Sequence, residues 1–216
     1  MTYQINPNHS LFWGTEYAGL PIQDKGPFIS EYLERLYLTM NRALNQYREV
    51  FAFRFDLRLP ANHFSNNSAY ENEIIDRFIE SFKAKIKHNR QMARRENPYS
   101  HSSIVRYVWA KEVGQQGRPH YHLAILLNKD AFCAVGAYQP GRDNMFNRLL
   151  EAWASALGLP VGAVFGLVHI PDNAYYFLRR DDRASIAEFF SRASYLCKAN
   201  TKAFGNGGHG FGSSRM

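Results

Sequence analysis

The 216-residue chain is 45% apolar and 15% aromatic, a composition that folds around a core and excludes a disordered polymer. Its 26 Lys and Arg against 19 Asp and Glu leave a formal charge of +7, which favours a polyanionic partner, with nucleic acid ahead of a membrane surface. The two cysteines, Cys133 and Cys197, lie far apart and outside any CxxC spacing; they read as reduced thiols of a cytoplasmic protein and argue against a disulfide scaffold. No basic stretch leads into an apolar core near the N-terminus, and no apolar run approaches the roughly 18 residues of a membrane helix, so no membrane partner is expected.

Residues 1–26 read as an irregular arm whose Phe12, Trp13 and Tyr17 pack on the body or, as the lesser reading, meet a ligand. Over residues 27–47 the spacing of Ile29, Tyr32, Leu33, Leu36 and Met40 predicts a covering helix. Residues 49–59 alternate Phe51, Phe53, Phe55, Leu57 and Leu59 with Arg54, Asp56 and Arg58, the pattern of a strand with one core face and one polar face. Residues 69–95 predict a long helix with Ile74, Ile75, Phe78, Ile79, Phe82 and Ile86 as its apolar stripe. Lys83, Lys85, Lys87, Arg90, Arg94 and Arg95 crowd its second half with no acid among them. Cations there suit a helix C-terminus, and the same run offers a phosphate-contacting stripe through Lys83, Lys87, Arg90 and Arg94.

A strand over 102–113, the loop Gly114-Gln115-Gln116-Gly117 and a strand from Arg118 onward read as a hairpin. Residues 142–157 predict an amphipathic helix, 161–170 a strand, 171–173 a turn and 184–199 a final helix carrying Tyr195. The Gly- and Ser-rich tail 205–216 reads as mobile. There is no internal repeat and no Walker-type phosphate loop. The division is an arm and covering helix (1–48), one α+β domain (49–204) and the tail, the domain being an antiparallel sheet with flanking helices.

Side chains alternate along a strand, so His120 and His122 share a face while Tyr121 points away. If residues 115–117 form a three-residue loop with glycine in the left-handed position, Val113 pairs with Pro119 and Glu112 with His120. Glu112, His120 and His122 then converge from two strands. A two-residue loop would shift the register and turn Glu112 away. Pro119 cannot donate a ladder bond and belongs at the strand's entry or beside a bulge. One carboxylate and two imidazoles with open positions suit Mg²⁺ or Mn²⁺; zinc also accepts such donors, though no cysteine supports a structural zinc site. The ion's task would be to polarise a phosphoryl oxygen. In the last helix Tyr195 and Lys198 are three residues apart and share a face, with Lys202 one turn further on. A phenol is a weak nucleophile unaided, and a metal-bound phosphate beside an ammonium stabilises the charge that its attack develops.

These residues resemble a known superfamily. His120-Tyr121-His122 resembles the histidine–hydrophobe–histidine motif of the HUH endonucleases, with Tyr at the hydrophobic position. Glu112 stands where many viral and plasmid initiators carry a third metal ligand, and Tyr195-x-x-Lys198 resembles the nucleophile motif of the single-tyrosine replication class. The stretch 53–60 is a loose match to that class's first motif. Arg118-Pro119-His120-Tyr121-His122, Tyr195-Leu196-Cys197-Lys198 and Phe211-Gly212-Ser213-Ser214-Arg215 resemble the inovirus- and prophage-encoded YagK/YfjJ replication proteins, over roughly residues 45–216. The resemblance implies an HUH/RRM-like nuclease fold with about five antiparallel strands, ligands on the central strands and the tyrosine on a flanking helix.

The resemblance also implies nicking of single-stranded or hairpin origin DNA through a 5′-phosphotyrosine, a free 3′-OH, and initiation of rolling-circle replication. Arg118, Lys202 and the basic helix face would hold the DNA. No second tyrosine lies three or four residues from Tyr195 on its helix, which favours the one-tyrosine mechanism. A separate helicase and polymerase would then be partners. The alternatives are a repressor or origin-binding factor that keeps the scaffold without cleavage, and a hydrolase of small phosphoesters, against which the basic charge counts. Tyr175 and Tyr176 stand next in line as nucleophiles.

Overall fold

A computed structural model describes residues 8–24, 26–60, 68–113, 119–199 and 210–215. The arm forms two small ladders: β1 (Leu11–Phe12) pairs with β4 (Phe28–Ile29), and β2 (Glu16–Tyr17) pairs with β3 (Leu20–Pro21). It packs where expected, with Tyr17 stacked on Phe190, while Trp13 is left 67% exposed. Then follow α1 (Ser30–Gln46), β5 (Glu49–Arg58), α2 (Ser68–Glu96), β6 (Arg106–Val113), β7 (Pro119–Asn128), α3 (Met145–Leu157), β8 (Val168–His169), β9 (Tyr175–Arg179), α4 (Arg183–Ala193) and β10 (Phe211–Ser213).

The six-stranded sheet is antiparallel, ordered β10-β6-β7-β5-β8, and β9 also pairs with β5. The fold is therefore α+β, a central antiparallel sheet with helices on both faces. Strand alternation sends Phe51, Phe53, Phe55, Tyr121, Leu123 and Ile125 into one core with α2 and α3. Val50, Ala52, Val108, Ala124 and Leu126 enter a second core with α1 and α4. This double cover explains why β7 reads as a continuous apolar run over Leu123–Leu127, the composition of a strand buried on both sides. It also corrects the expectation that β5 has one polar face: Val50 and Ala52 are fully buried, and only Arg54, Asp56 and Arg58 at one end are polar.

Other elements differ from their sequence reading. The strand over 161–170 is a 3₁₀ turn at Val161–Val164 followed by two strand residues; Gly166 at φ 86° breaks the extended chain, a conformation glycine adopts without strain. β9 has no counterpart in the sequence reading, because its Tyr175-Tyr176-Phe177-Leu178 run hides the alternation. The final helix stops at Ala193 and tightens into a 3₁₀ turn over Ser194–Cys197. Of the tail, residues 205–209 and 216 lie outside the described residues; within 210–215, Phe211 pairs with Ala110 and Gly212 with Trp109 on the sheet edge. Phe211 also stacks on Tyr32 at 4.1 Å, and that apolar anchor outweighs the glycine content. Among the described residues no helix is long and apolar enough to cross a membrane.

Candidate metal centre and nucleophile

On the α1/α4 face of the sheet, apolar residues fill one end and give way to polar ones at the other. The paired strands set this up by register. Glu112 faces His120 and Val113 faces Pro119 across β6 and β7; Asp56 faces His122 and Arg58 faces His120 across β5 and β7. The hairpin register therefore matches the three-residue-loop reading, and Pro119 opens its strand. Residues 114–118, which include the Gly117 position and Arg118, lie outside the described residues.

The three expected ligands converge. His122 Nε2 lies 3.1 Å from Glu112 Oε2 and 3.1 Å from His120 Nε2, and His120 Nε2 lies 3.8 Å from Glu112 Oε2. Glu112 and His122 are buried and His120 is half-buried. With bonds of about 2.1 Å to a divalent ion, neighbouring ligand atoms sit about 3.0 Å apart in an octahedron and about 3.4 Å apart in a tetrahedron. Two of the separations fall in that range and the 3.8 Å pair lies just beyond it, so the group can hold a divalent metal ion.

Asp56, which the sequence reading did not single out as a site residue, completes the arrangement. Its Oδ1 lies 2.5 Å from His122 Nδ1. That bond keeps a proton on Nδ1 and leaves the Nε2 lone pair facing the cluster, the orientation metal-ligating histidines share. With no metal on Nε2, burial works to lower the His122 pKa, but hydrogen bonds donated to Asp56 and Glu112 outweigh it and hold the pKa above its usual range. Burial works to raise Asp56 in turn, and the His122 bond and the Arg54 charge hold its carboxyl below the usual range.

Tyr195 sits on the 3₁₀ turn rather than on α4 itself. Its hydroxyl donates to Glu112 Oε2 at 3.2 Å, and its ring meets that of His122 edge-on at 5.3 Å. Burial, then the Glu112 carboxylate, push its pKa up to about 12, so without a metal it is a neutral phenol. The 3₁₀ turn keeps residues three apart eclipsed, and Lys198 Nζ lies 4.8 Å from the Tyr195 ring centre. The N-terminal arm fixes this turn. Gln23 N donates to Ser194 Oγ at 3.0 Å, Ala199 N donates to Pro27 O at 2.9 Å, and Phe28 bridges Lys198. Tyr176 is buried against Phe189, and Tyr175, paired with Phe53, faces the α2/α3 layer; neither stands in for Tyr195.

The basic helix face is elsewhere. α2 packs on the opposite side of the sheet from Glu112, His120 and His122. There Lys83 pairs with Glu80 at 2.8 Å, Arg90 stacks on Phe132 at 4.5 Å, and Lys87 and Arg94 face solvent. None of the four joins the metal cluster, and Lys202 lies outside the described residues.

A profile of the YagK/YfjJ C-terminal domain matches residues 16–214, so the likeness reaches into the arm rather than starting near residue 45. The chain is similar to "Uncharacterized protein YfjJ" of Escherichia coli (strain K12), at 31% identity over 200 residues that cover 88% of this chain and 96% of that protein. It is similar to "Uncharacterized protein YagK" of the same strain, at 33% identity over 199 residues covering 88% and 95%. No solved structure matches significantly. With the sheet, the ligand triad and the tyrosine turn all inside the matched span, the chain belongs to the YagK/YfjJ family.

Proposed function

We propose that the chain is a metal-dependent, site-specific DNA endonuclease and strand transferase of the HUH type, a cytoplasmic initiator of rolling-circle replication for a phage, plasmid or satellite element. The observation that carries this reading is the Tyr195 hydroxyl, 3.2 Å from a carboxylate that also belongs to a two-histidine ligand set. The donor set of Glu112, His120 and His122 fits Mg²⁺ or Mn²⁺, which when bound supplies Lewis acidity toward a phosphoryl oxygen.

In this reading Glu112 holds the Tyr195 hydroxyl in place, and the half-buried site limits water as a competing nucleophile. Tyr195 Oη forms a bond to phosphorus as the P–O3′ bond breaks, and the phenol proton passes to solvent. The products are a 5′-phosphotyrosine and a strand with a free 3′-OH, whose oxygen takes up a proton. Lys198, buried beside the ring, neutralises the phosphate as charge develops. Attack by a 3′-OH on the phosphotyrosine reverses the sequence and transfers the strand. The free 3′-OH primes a polymerase, and unwinding falls to a separate helicase.

The test is incubation of labelled single-stranded hairpin DNA from the chain's own replicon with Mn²⁺, followed by a denaturing gel. A covalent protein–DNA adduct is expected, absent with Tyr195→Phe and absent with EDTA. An adduct that survives Tyr195→Phe refutes the nucleophile assignment. DNA binding with no adduct under any metal refutes the nuclease and favours a non-catalytic origin-binding factor on the same scaffold.

A further inference from the structure

The cleft beside Tyr195 holds two cations that the mechanism above leaves unused. It encloses about 840 Å³ and runs from Asp56, His122 and Tyr195 past Lys198 to Arg54, Arg192 and the arm. Arg54 rises from β5 on the same face as Asp56 and is 6% exposed. Its one side-chain hydrogen bond among the described residues runs from Nη1 to the Arg192 carbonyl, at 3.3 Å. Its buried Nε has no partner. Neither Arg54 nor Arg192 lies within ion-pair distance of a carboxylate among the described residues. Asp56 is engaged by His122, and Asp24 stands exposed at the cleft's rim.

A buried guanidinium with free donors, next to a second cation, is a costly arrangement for a folded chain to maintain. Burial, then the Arg192 charge, push the Arg54 pKa down against the opposing pull of Asp56, Tyr176 and Tyr195. An anion entering the cleft removes both penalties, because a guanidinium presents five N–H donors in a fork that fits two oxygens of one phosphate. Arg54 and Arg192 lie on the Tyr195 side of the sheet, so an anion held there sits next to the reacting position.

We infer that Arg54 and Arg192 form a second anion subsite, which takes a phosphodiester of the single strand adjacent to the one Tyr195 attacks. The identity of the anion as DNA rests on the nuclease reading; the existence of the subsite rests on two guanidinium groups with no carboxylate partner among the described residues and on the partnerless Arg54 Nε.

The experiment uses full-length protein carrying Tyr195→Phe, which cannot cleave, and fluorescein-labelled (dT)₂₀ in anisotropy titrations from 50 to 400 mM NaCl. Removing one cation–phosphate interaction lowers the slope of log K against log salt by about 0.7 for a single strand. Adding Arg54→Met or Arg192→Met is expected to lower the slope by that amount, and both together by about 1.4. Arg179→Met, at the Glu49 end of the β5–β9 ladder and outside the cleft lining, is expected to leave it unchanged. Arg54→Lys keeps the charge and is expected to keep the slope while binding more weakly, because the fork is gone. If Arg54→Met fails to fold on a thermal melt, Arg192→Met carries the test alone, its side chain being only half-buried.

Slopes equal to the parent's for both Met variants overturn the subsite, as does a parent that does not bind (dT)₂₀. Adduct formation by protein with Tyr195 intact, together with unchanged slopes, overturns the subsite and leaves the nuclease standing. Lowered slopes with no adduct do the reverse.

Discussion

Asp56→Asn removes the carboxylate that fixes His122 while keeping the side chain's size, and its effect on metal binding follows from the geometry. The Asp56–His122 contact is 2.5 Å long, with His122 buried and Asp56 half-buried at the cleft, so water replaces it poorly. An amide in its place accepts only a neutral hydrogen bond or presents its NH₂ to Nδ1, which turns the imidazole's lone pair away from the cluster. Loss of such a partner lowers metal affinity about 10- to 100-fold. At an Mn²⁺ concentration about 100 times the wild-type Kd, binding stabilises the fold by about 2.7 kcal/mol; in the variant the same concentration gives about 1.4 to 0.4 kcal/mol. In a chain of this size each 1 kcal/mol moves Tm by about 2–4 °C. The Mn²⁺-induced shift is therefore expected to fall from about 5–11 °C to about 1–6 °C in melts at pH 8. A variant that keeps the full shift refutes the role given to Asp56. A variant whose metal-free melt drops as far as its metal-bound one shows that Asp56 supports the fold alone.

Gly212→Ala is expected to destabilise by about 1–3 kcal/mol, because the added Cβ would lie 2.5 Å from Trp109 Nε1; an unchanged melting temperature refutes the docking of β10 on the sheet edge. Trp153→Ala empties a fully buried site whose indole Nε1 donates to Arg58 O at 3.0 Å, and it should cost about 3–5 kcal/mol in chemical denaturation; a loss below about 1 kcal/mol would mean that the α2/α3 layer does not pack as described. Joint replacement of Lys87 and Arg94 by Gln should leave adduct formation on a short hairpin within about twofold, surface charges off the binding face being worth little; a tenfold loss would put the substrate on the α2 face instead.

How legible the fold was depended on which signal each element carried. α1, α2 and α3 followed from apolar spacing, because amphipathic helices packed on one face leave that stripe in sequence. β9 did not, because Tyr175 and Phe177 keep exposed rings on one face while Tyr176 and Leu178 are buried on the other; four apolar residues in a row carry no period. β10 was hidden by composition. Phe211 supplies one aromatic anchor, and Gly212 is required by the close approach of Trp109, so the residue that permits the strand is the one that made the tail look mobile.

The site divides along the same line, between near and distant pairing. Glu112, His120 and His122 belong to one hairpin, so the sequence narrows their register to a choice between two loop lengths, and the strand pairing of Glu112 with His120 agrees with the three-residue one. Tyr195 and Lys198 are three residues apart, and their common side survives the change from α-helix to 3₁₀ turn. Asp56 is different: it sits 66 residues from His122 on a strand whose register depends on how three strands lie side by side, and Arg54 meets Arg192 across 138 residues. Strand β5 still held a clue. Its apolar residues run together over Val50–Phe53 and alternate only beyond, where Arg54 and Asp56 occupy a face that the start of the strand buries among apolar residues. Charges kept at positions that the fold would bury need a partner, and here the partners are the histidine cluster for Asp56 and, on the reading above, a bound phosphate for Arg54.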